Sequence, residues 1–187
     1  MKKKILKLIT ETIKAVDLEM DVGVQQSGVN MSYDFIQNRV YVDLDRVVQA
    51  RLEMLSPVHL REYIMTLTLH ELGHALDRDA LLDAMPRMIE IAKIKKEHQF
   101  INRREDLKLF AFDIEAHEMD ISFEETAWDN ARELNNQYGL LSLSVIEKVE
   151  THSMSSYFDF YEKDLTDYKR LIAAERMQRK TPIMSIV

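Results

Sequence analysis

The chain has 187 residues, a net charge of −7, 46% hydrophobic residues and 30% charged residues, which is typical of a globular protein of about one domain. It contains no cysteine, which excludes disulfides, thiolate metal sites, iron–sulfur clusters and a cysteine nucleophile. Metal or catalytic chemistry must therefore use its six histidines, its carboxylates or its hydroxyls. The acidic charge argues against nucleic acid as a direct partner.

The first segment opens with the basic run Lys2–Lys4, yet its pattern predicts an amphipathic helix and not a targeting signal. Its apolar residues fall at helical spacing: Ile5, Leu8, Ile9, Ile13 and Val16. Lys7 and Glu11 interrupt the apolar stretch that a signal peptide would need. No run approaches the roughly 18 apolar residues of a membrane span. We therefore expect no membrane partner and a cytoplasmic location.

Residues 20–45 contain the only strand patterns. Apolar and polar side chains alternate in Met31–Phe35 and in Val40–Leu44, and a turn at Gln37-Asn38 between them predicts a hairpin. A further short strand is expected at Met20–Gln25. Two interpretations of Val40–Leu44 stay open, an ordinary sheet strand or an edge strand that binds a substrate as an added strand.

The rest of the chain is predicted to be helical. Ser56 as N-cap and Pro57 at the first helical position predict a helix from Pro57 to about Arg78. Further helices are expected near residues 83–98, 106–137, 142–152 and 157–179. This order predicts a mostly helical α+β fold with a small antiparallel sheet near the N-terminus. We expect a single domain over residues 1–187, with a helical C-terminal extension from about residue 140.

The segment His70-Glu71-Leu72-Gly73-His74 is an HExxH motif inside the helix predicted after Pro57. Residues i and i+4 lie one turn apart on the same helix face, so the two imidazoles can bind one metal ion. Glu71 is rotated by about 100° from His70, where it can accept a proton from an activated water without binding the metal. The competing interpretation, two histidines of an ordinary leucine-rich helix, would bury unpaired polar groups.

A catalytic zinc site needs a third protein ligand and an open position for water, and we expect that ligand within residues 112–138. On a helix, Glu124 falls near the centre of an apolar face, where a carboxylate is costly unless something pairs with it. Glu124 is therefore the preferred ligand, and Glu125, at the edge of that face, comes second. The remaining alternatives are His117, Glu118 and Asp120.

Other side chains are candidates for supporting roles. Asp113, His117 and Asp120 share nearly the same helix line as Glu124 and could orient an imidazole or face a substrate. His117 is equally compatible with a hydrogen-bonded histidine at the edge of the core. The candidates for stabilising an oxyanion are Tyr138, His117, His152, Tyr157 and Tyr161.

HELGH, followed by a helix with Glu-x-x-Ala-x-x-x-Ala, resembles the gluzincin metallopeptidases of the ImmA/IrrE type. The second motif here is Glu124-Glu125-Thr126-Ala127-Trp128-Asp129-Asn130-Ala131, in which Trp128 and Asn130 replace the family's usual Asn and Phe. The resemblance implies a minimal zincin-like fold, with zinc bound by His70, His74 and Glu124 and with Glu71 as the catalytic base. It also implies a protein substrate, such as a transcriptional repressor of a phage, a mobile element or a stress regulon.

We therefore expect a zinc-dependent metallopeptidase that hydrolyses a peptide bond in a protein or peptide substrate. The alternative is a zincin-like regulatory module that holds a partner and has little or no proteolytic activity. A purely structural metal is a third hypothesis, but it would need four protein ligands and no base beside them. The sequence leaves the oligomeric state open.

Overall fold

The computed structural model describes residues 1–180 and confirms the α+β class, because it is 75% helical and has three short strands near the N-terminus. Residues 181–187 lie outside the described residues. The elements in chain order are α1 (Lys2–Ala15), β1 (Asp21–Val24), β2 (Met31–Asp34), β3 (Arg39–Val42), α2 (Arg46–Glu53), α3 (Leu60–Leu76), α4 (Arg78–Glu97), α5 (Phe100–Glu105), α6 (Leu107–Tyr138) and α7 (Leu143–Lys180). None of the helices within residues 1–180 has the length and apolar character that a membrane span requires.

The chain divides into two compact units. The first contains residues 1–84 and 122–155, and the second contains residues 85–121 and the chain from residue 156 on. Helices α6 and α7 each contribute one part to the first unit and another part to the second. The expectation of a single domain over residues 1–187 stays a prediction.

The sheet of the first unit has the strand order β1-β3-β2. Strands β2 and β3 pair antiparallel, with Tyr33 opposite Val40, so the predicted hairpin is confirmed. Strand β1 pairs parallel to β3, with Val22 opposite Val40, so the sheet is mixed and not purely antiparallel as predicted. The chain crosses to the far side of β3 between β1 and β2, and strand alternation in the sequence does not encode such a crossover.

Strand β3 lies in the middle of the sheet, which corrects one interpretation of Val40–Leu44. Val40 and Val42 are 0% and 1% exposed, and β3 has a hydrogen-bonded strand on both sides. It is therefore not an edge that could accept an added strand. The edge strand that packs against α3 is β2.

Helix α3 is the centre of the first unit. All eleven residues from Tyr63 to Gly73 are buried, and the helix packs against α1, α2 and β2. A helix that is buried all round needs apolar residues on every face, which explains the leucine-rich surroundings of the HExxH motif. The motif therefore lies in the core of this unit and not on its surface.

Helix α3 begins at Leu60, not at Pro57 as predicted. The Arg51 guanidinium donates a hydrogen bond of 2.9 Å to the carbonyl of Val58, which holds the chain before the helix in an extended path. The Glu62 carboxylate accepts a hydrogen bond of 3.2 Å from the last backbone N–H before the helix. The Val58 carbonyl and the last N–H before the helix therefore already have partners, whereas a helix that began at Ser56 would use both groups.

Helix α2 is an element that the sequence analysis does not predict. The Asp43 carboxylate accepts hydrogen bonds from the backbone N–H groups of Asp45 and Arg46, at 3.1 and 3.0 Å, and so satisfies donors at the start of this helix. Its second oxygen accepts from the N–H of Gly28. The hydrogen bonds from Arg46 and Gly28 hold the pKa of the Asp43 carboxyl below its usual range.

The later helices follow the predicted ranges except at three places, one of which is α5, a short helix that the sequence analysis does not predict. Helix α6 matches the prediction of 106–137, whereas α4 begins earlier than predicted and contains Pro86. Helix α7 is continuous where two helices, 142–152 and 157–179, are predicted. The Ser155 hydroxyl donates to the carbonyl of His152 inside the helix, and Met154 is buried, so the serines near residue 155 do not interrupt it.

The second unit contains a buried ion pair that gives a stability prediction. Arg103 donates to both Asp113 oxygens, at 3.2 and 3.1 Å, and both residues are buried. Asp113→Ala leaves the guanidinium buried without this partner, and we expect the free energy of unfolding to fall by about 3 kcal/mol. Chemical denaturation followed by circular dichroism measures this loss.

Glu90→Ala is the matched control in the same unit, because Glu90 pairs with Arg87 on the surface with its side chain 57% exposed. We expect that control to cost about 1 kcal/mol or less. Equal losses of unfolding free energy in the two variants would show that the buried Arg103–Asp113 pair stabilises the protein no more than the surface pair does.

Candidate metal centre

Three side chains from α3 and α6 converge in the first unit. The Glu124 carboxylate lies 3.2 Å from His70 Nε2 through one oxygen and 3.5 Å from His74 Nε2 through the other. One donor atom from each residue lies within 4.8 Å of the other two. The structure thus brings together the three residues that the sequence analysis prefers as metal ligands.

These distances and donor types fit a metal ion. Two ligand atoms bound tetrahedrally at 2.0–2.1 Å from one zinc ion are separated by roughly 3.3 Å. The separations of 3.2 and 3.5 Å are close to that value, and each joins a different Glu124 oxygen to an imidazole. Two imidazoles and one carboxylate also form a known donor set for divalent ions. The cluster could therefore hold a metal ion.

The cluster is largely buried, and this burial affects which of its groups are charged. The side chains of His70, His74 and Glu124 are 8%, 14% and 17% exposed. Burial opposes the charge of Glu124, but hydrogen bonds from the two imidazoles outweigh it and hold the pKa of this carboxyl below its usual range. Burial likewise opposes protonation of His74, while the Glu124 carboxylate raises the pKa of this imidazole above its ordinary value. A carboxylate that stays ionised here attracts a cation.

Glu71 lies next to the cluster on α3 and is only 4% exposed. Burial raises the pKa of its carboxyl, and the neighbouring His70 and His74 partly offset that effect. The backbone of Tyr33, on the edge strand β2, also lies near this carboxyl. Glu71 is not part of the three-residue cluster, so it can act on a proton without being a ligand.

The close approach of α3 and α6 depends on Gly73. A Cβ atom at this position would overlap the backbone carbonyl oxygen of Ala127, so no other residue fits without moving one helix. Asn130 then donates a hydrogen bond of 3.0 Å from Nδ2 to the Gly73 carbonyl. The second motif thus supplies Glu124 to the cluster and a hydrogen bond that joins the two helices.

The other predicted ligands lie elsewhere. Glu125 is exposed, as is Asp120. Glu118 accepts a hydrogen bond from the hydroxyl of Tyr161, and His117 pairs with Asp164 at 3.0 Å. His117 and Glu118 belong to the second unit, whereas the cluster belongs to the first.

The residues considered for supporting roles also have other partners. Asp113 pairs with Arg103, and so does not orient an imidazole of the cluster. The Tyr138 hydroxyl contacts Asp17 at 3.4 Å. His152 lines a groove beside Leu55, and Tyr157 is half-buried in the second unit.

Three contacts of the site are not anticipated by the sequence analysis: the Trp128 ring on His70, the Asn130 hydrogen bond and the approach of the Tyr33 backbone to Glu71. Helical spacing could have indicated the first, because Trp128 lies one turn after Glu124 on the same face. Nothing in the sequence indicates the other two, which depend on the packing of α6 and β2 against α3.

Comparison with known proteins gives no relative for this chain. No protein-family model, no curated protein and no solved structure matches it.

The carboxylate of the cluster gives a direct test of metal binding. Glu124→Gln removes the anionic ligand while preserving size, and we expect zinc affinity to fall by at least about 100-fold, more than the loss of a supporting contact. Glu125→Gln is the matched control, because Glu125 is exposed, and its affinity should equal that of the unmodified chain. Competition with a chromophoric chelator measures both dissociation constants. Equal affinities in the two variants would show that Glu124 is not a ligand.

The helix contact at Gly73 gives a second prediction. Gly73→Ala places a methyl group against the Ala127 carbonyl, so α6 must shift and carry Glu124 away from the imidazoles. We expect weaker metal binding and destabilisation of about 1–3 kcal/mol, the usual cost of overpacking. Thermal denaturation and chelator competition report the two effects. Unchanged values of both would contradict the close contact.

Proposed function

We propose that the chain is a zinc-dependent metallopeptidase that hydrolyses a peptide bond in a protein or peptide substrate. The observation that carries this proposal is the convergence of the His70, His74 and Glu124 donors within 4.8 Å of one another, with Glu71 beside them. Two imidazoles, one carboxylate and an adjacent glutamate are the parts that zinc peptidases use.

Zinc is the proposed metal because the donor set contains two nitrogens and one oxygen. Three donors leave one of four tetrahedral positions for a water or a substrate, as catalytic zinc sites require. A structural zinc would use a fourth protein donor, and the group found among residues 1–180 contains three. When bound, the ion supplies a Lewis acid that acidifies water and polarises a carbonyl group.

Glu71 is the proposed general base. Its carboxylate takes a proton from the water that attacks the peptide carbonyl, and then delivers that proton to the leaving amine. His70 and His74 act as neutral ligands, and Glu124 contributes the negative charge that holds the ion.

The edge strand β2 is the proposed place for the substrate backbone. It packs against α3 and has a strand neighbour only at β3 within the described sheet, and the backbone of its Tyr33 lies near Glu71. An extended peptide added along this edge would bring its carbonyl groups close to the base. This role replaces the one considered for Val40–Leu44, which lies in the middle of the sheet.

The resemblance of HELGH and the second motif to ImmA/IrrE-type peptidases suggests a repressor protein as the substrate. The interpretation rests on motif order and on the placement of Glu124. This residue occupies the position of the family's third ligand and lies beside both histidines. Trp128 and Asn130, the positions that depart from the family pattern, both contact α3 at the cluster.

One observation favours the alternative, a regulatory module that holds metal without cleaving. The ligand side chains are at most 17% exposed and Glu71 is 4% exposed, so a substrate has little open surface at the site. Such a module would bind one zinc ion tightly and leave candidate substrates intact. Zinc content and cleavage must therefore be measured on the same preparation.

The decisive variant is Glu71→Gln, which keeps the shape of the side chain but cannot accept a proton. We expect it to bind one equivalent of zinc with unchanged affinity and to cleave casein or candidate repressors at least about 100-fold more slowly. Glu125→Gln, an exposed position, is the matched control and should cleave normally. Metal content by mass spectrometry and cleavage by gel electrophoresis, each with and without chelator, give the readouts.

Each outcome decides between the hypotheses. Chelator-sensitive cleavage that Glu71→Gln abolishes supports the peptidase. Tightly bound zinc without cleavage in the unmodified chain supports the regulatory module. Normal turnover by Glu71→Gln would exclude Glu71 as the base and overturn the mechanism.

A further inference from the structure

The indole ring of Trp128 lies against the imidazole of His70. The ring centroids are 4.2 Å apart and the planes are inclined by 28°, so the two rings are stacked. Trp128 is 0% exposed and His70 is 6% exposed. Trp128 follows Glu124 by one helical turn, so α6 presents the third ligand and this ring on the same face.

The second nitrogen of the His70 imidazole has no hydrogen-bond partner. His70 Nδ1 is buried and unpaired among the described residues, while Nε2 faces Glu124. A metal-binding histidine almost always donates its other N–H to a carboxylate, a carbonyl or water, and that bond fixes the orientation of the ring. The described structure lacks this bond, so another contact must orient the His70 ring.

Two aromatic contacts enclose the imidazole instead. Trp128 stacks on the ring, and His74 packs against it edge-on, with centroids 4.7 Å apart and planes inclined by 74°. Trp128 Nε1 is also buried and unpaired among the described residues, so the indole contributes its ring face and not its N–H. Stacked and edge-on arrangements are the ones that pairs of aromatic rings prefer.

We propose that Trp128 is a positioning residue that holds the His70 imidazole in its metal-binding orientation by stacking, in place of the usual hydrogen bond at Nδ1. The inference rests on the metal site of the proposed function but does not depend on peptidase activity. It also explains why a large aromatic residue lies at the second motif: a smaller side chain at 128 would leave one face of the imidazole without support.

The test compares Trp128→Leu with Trp128→Phe. Leucine fills the core without an aromatic face, and we expect zinc affinity to fall by about 10-fold, the smaller loss seen when a supporting contact of a ligand is removed. Phenylalanine keeps a ring that can stack, and its affinity should remain within about threefold of the unmodified chain. Chelator competition gives the dissociation constants, and the visible absorption of bound Co²⁺ reports the ligand geometry.

Ile146→Ala is the control for a general loss of packing. Ile146 is 0% exposed in the same unit but lies on α7, which supplies no ligand. We expect this variant to lower thermal stability while leaving the zinc dissociation constant and the Co²⁺ spectrum unchanged. Trp128→Leu should instead change both, because the His70 ring then has more than one orientation.

A measurement on the unmodified chain keeps the test independent of how the variants fold. In the metal-free protein, the stacked indole should shift the His70 ring protons upfield in the NMR spectrum, and Trp128 is the only tryptophan that can do so. Unshifted His70 protons would overturn the proposal. So would a Trp128→Leu variant with unchanged affinity and spectrum, or equal losses in the Leu and Phe variants.

These results separate the two proposals. Zinc binding that depends on a ring at 128, without any cleavage, would support the positioning role and exclude the proposed peptidase activity. Cleavage, together with a zinc affinity that does not change with the residue at 128, would support the peptidase and exclude the positioning role. If the chain binds no zinc, both proposals are excluded.

Discussion

Helices α3 and α6 approach each other so closely at Gly73 that no Cβ atom fits between that residue and the Ala127 carbonyl. The cluster depends on this contact, because His70 and His74 lie on α3 whereas Glu124 lies on α6. Asn130 reinforces it by donating to the Gly73 carbonyl. A wider separation of the helices would leave two histidines on one side and a buried carboxylate on the other, each without the partner that compensates its burial.

The charge of the site follows from the same packing. Burial in the core of the first unit works against ionised groups, yet Glu71 and Glu124 lie side by side with two imidazoles. Hydrogen bonds to the imidazoles keep Glu124 ionised, whereas burial dominates at Glu71 and raises the pKa of its carboxyl. Two neighbouring carboxyl groups whose pKa values shift in opposite directions are suited to different tasks, one to hold a cation and one to exchange a proton.

The second unit uses its charged residues for pairing with one another. Arg103 contacts Asp113, and Asp164 contacts both Arg104 and His117. Asp113 and His117 lie on nearly the same helix line as Glu124, so periodicity alone made them candidates for the metal site. Their partners come from α5, the short helix just before α6, and from α7, and the resulting ion pairs give these residues a structural role.

The HExxH spacing and the apolar face around Glu124 were sufficient to predict the cluster, because helical geometry converts sequence spacing into direction. Most of the helices and the β2–β3 hairpin followed from hydrophobic periodicity for the same reason. Local patterns could not determine the crossover that makes the sheet mixed, the start of α3 at Leu60, or the ring on His70. The crossover and the ring on His70 depend on contacts between segments far apart in the chain, and the start of α3 depends on hydrogen bonds made by the Arg51 and Glu62 side chains. The sequence by itself thus determined which side chains could bind a metal, and only the tertiary structure decided that α6 brings Glu124 and Trp128 against α3, because the distance between two helices depends on the fit of their surfaces.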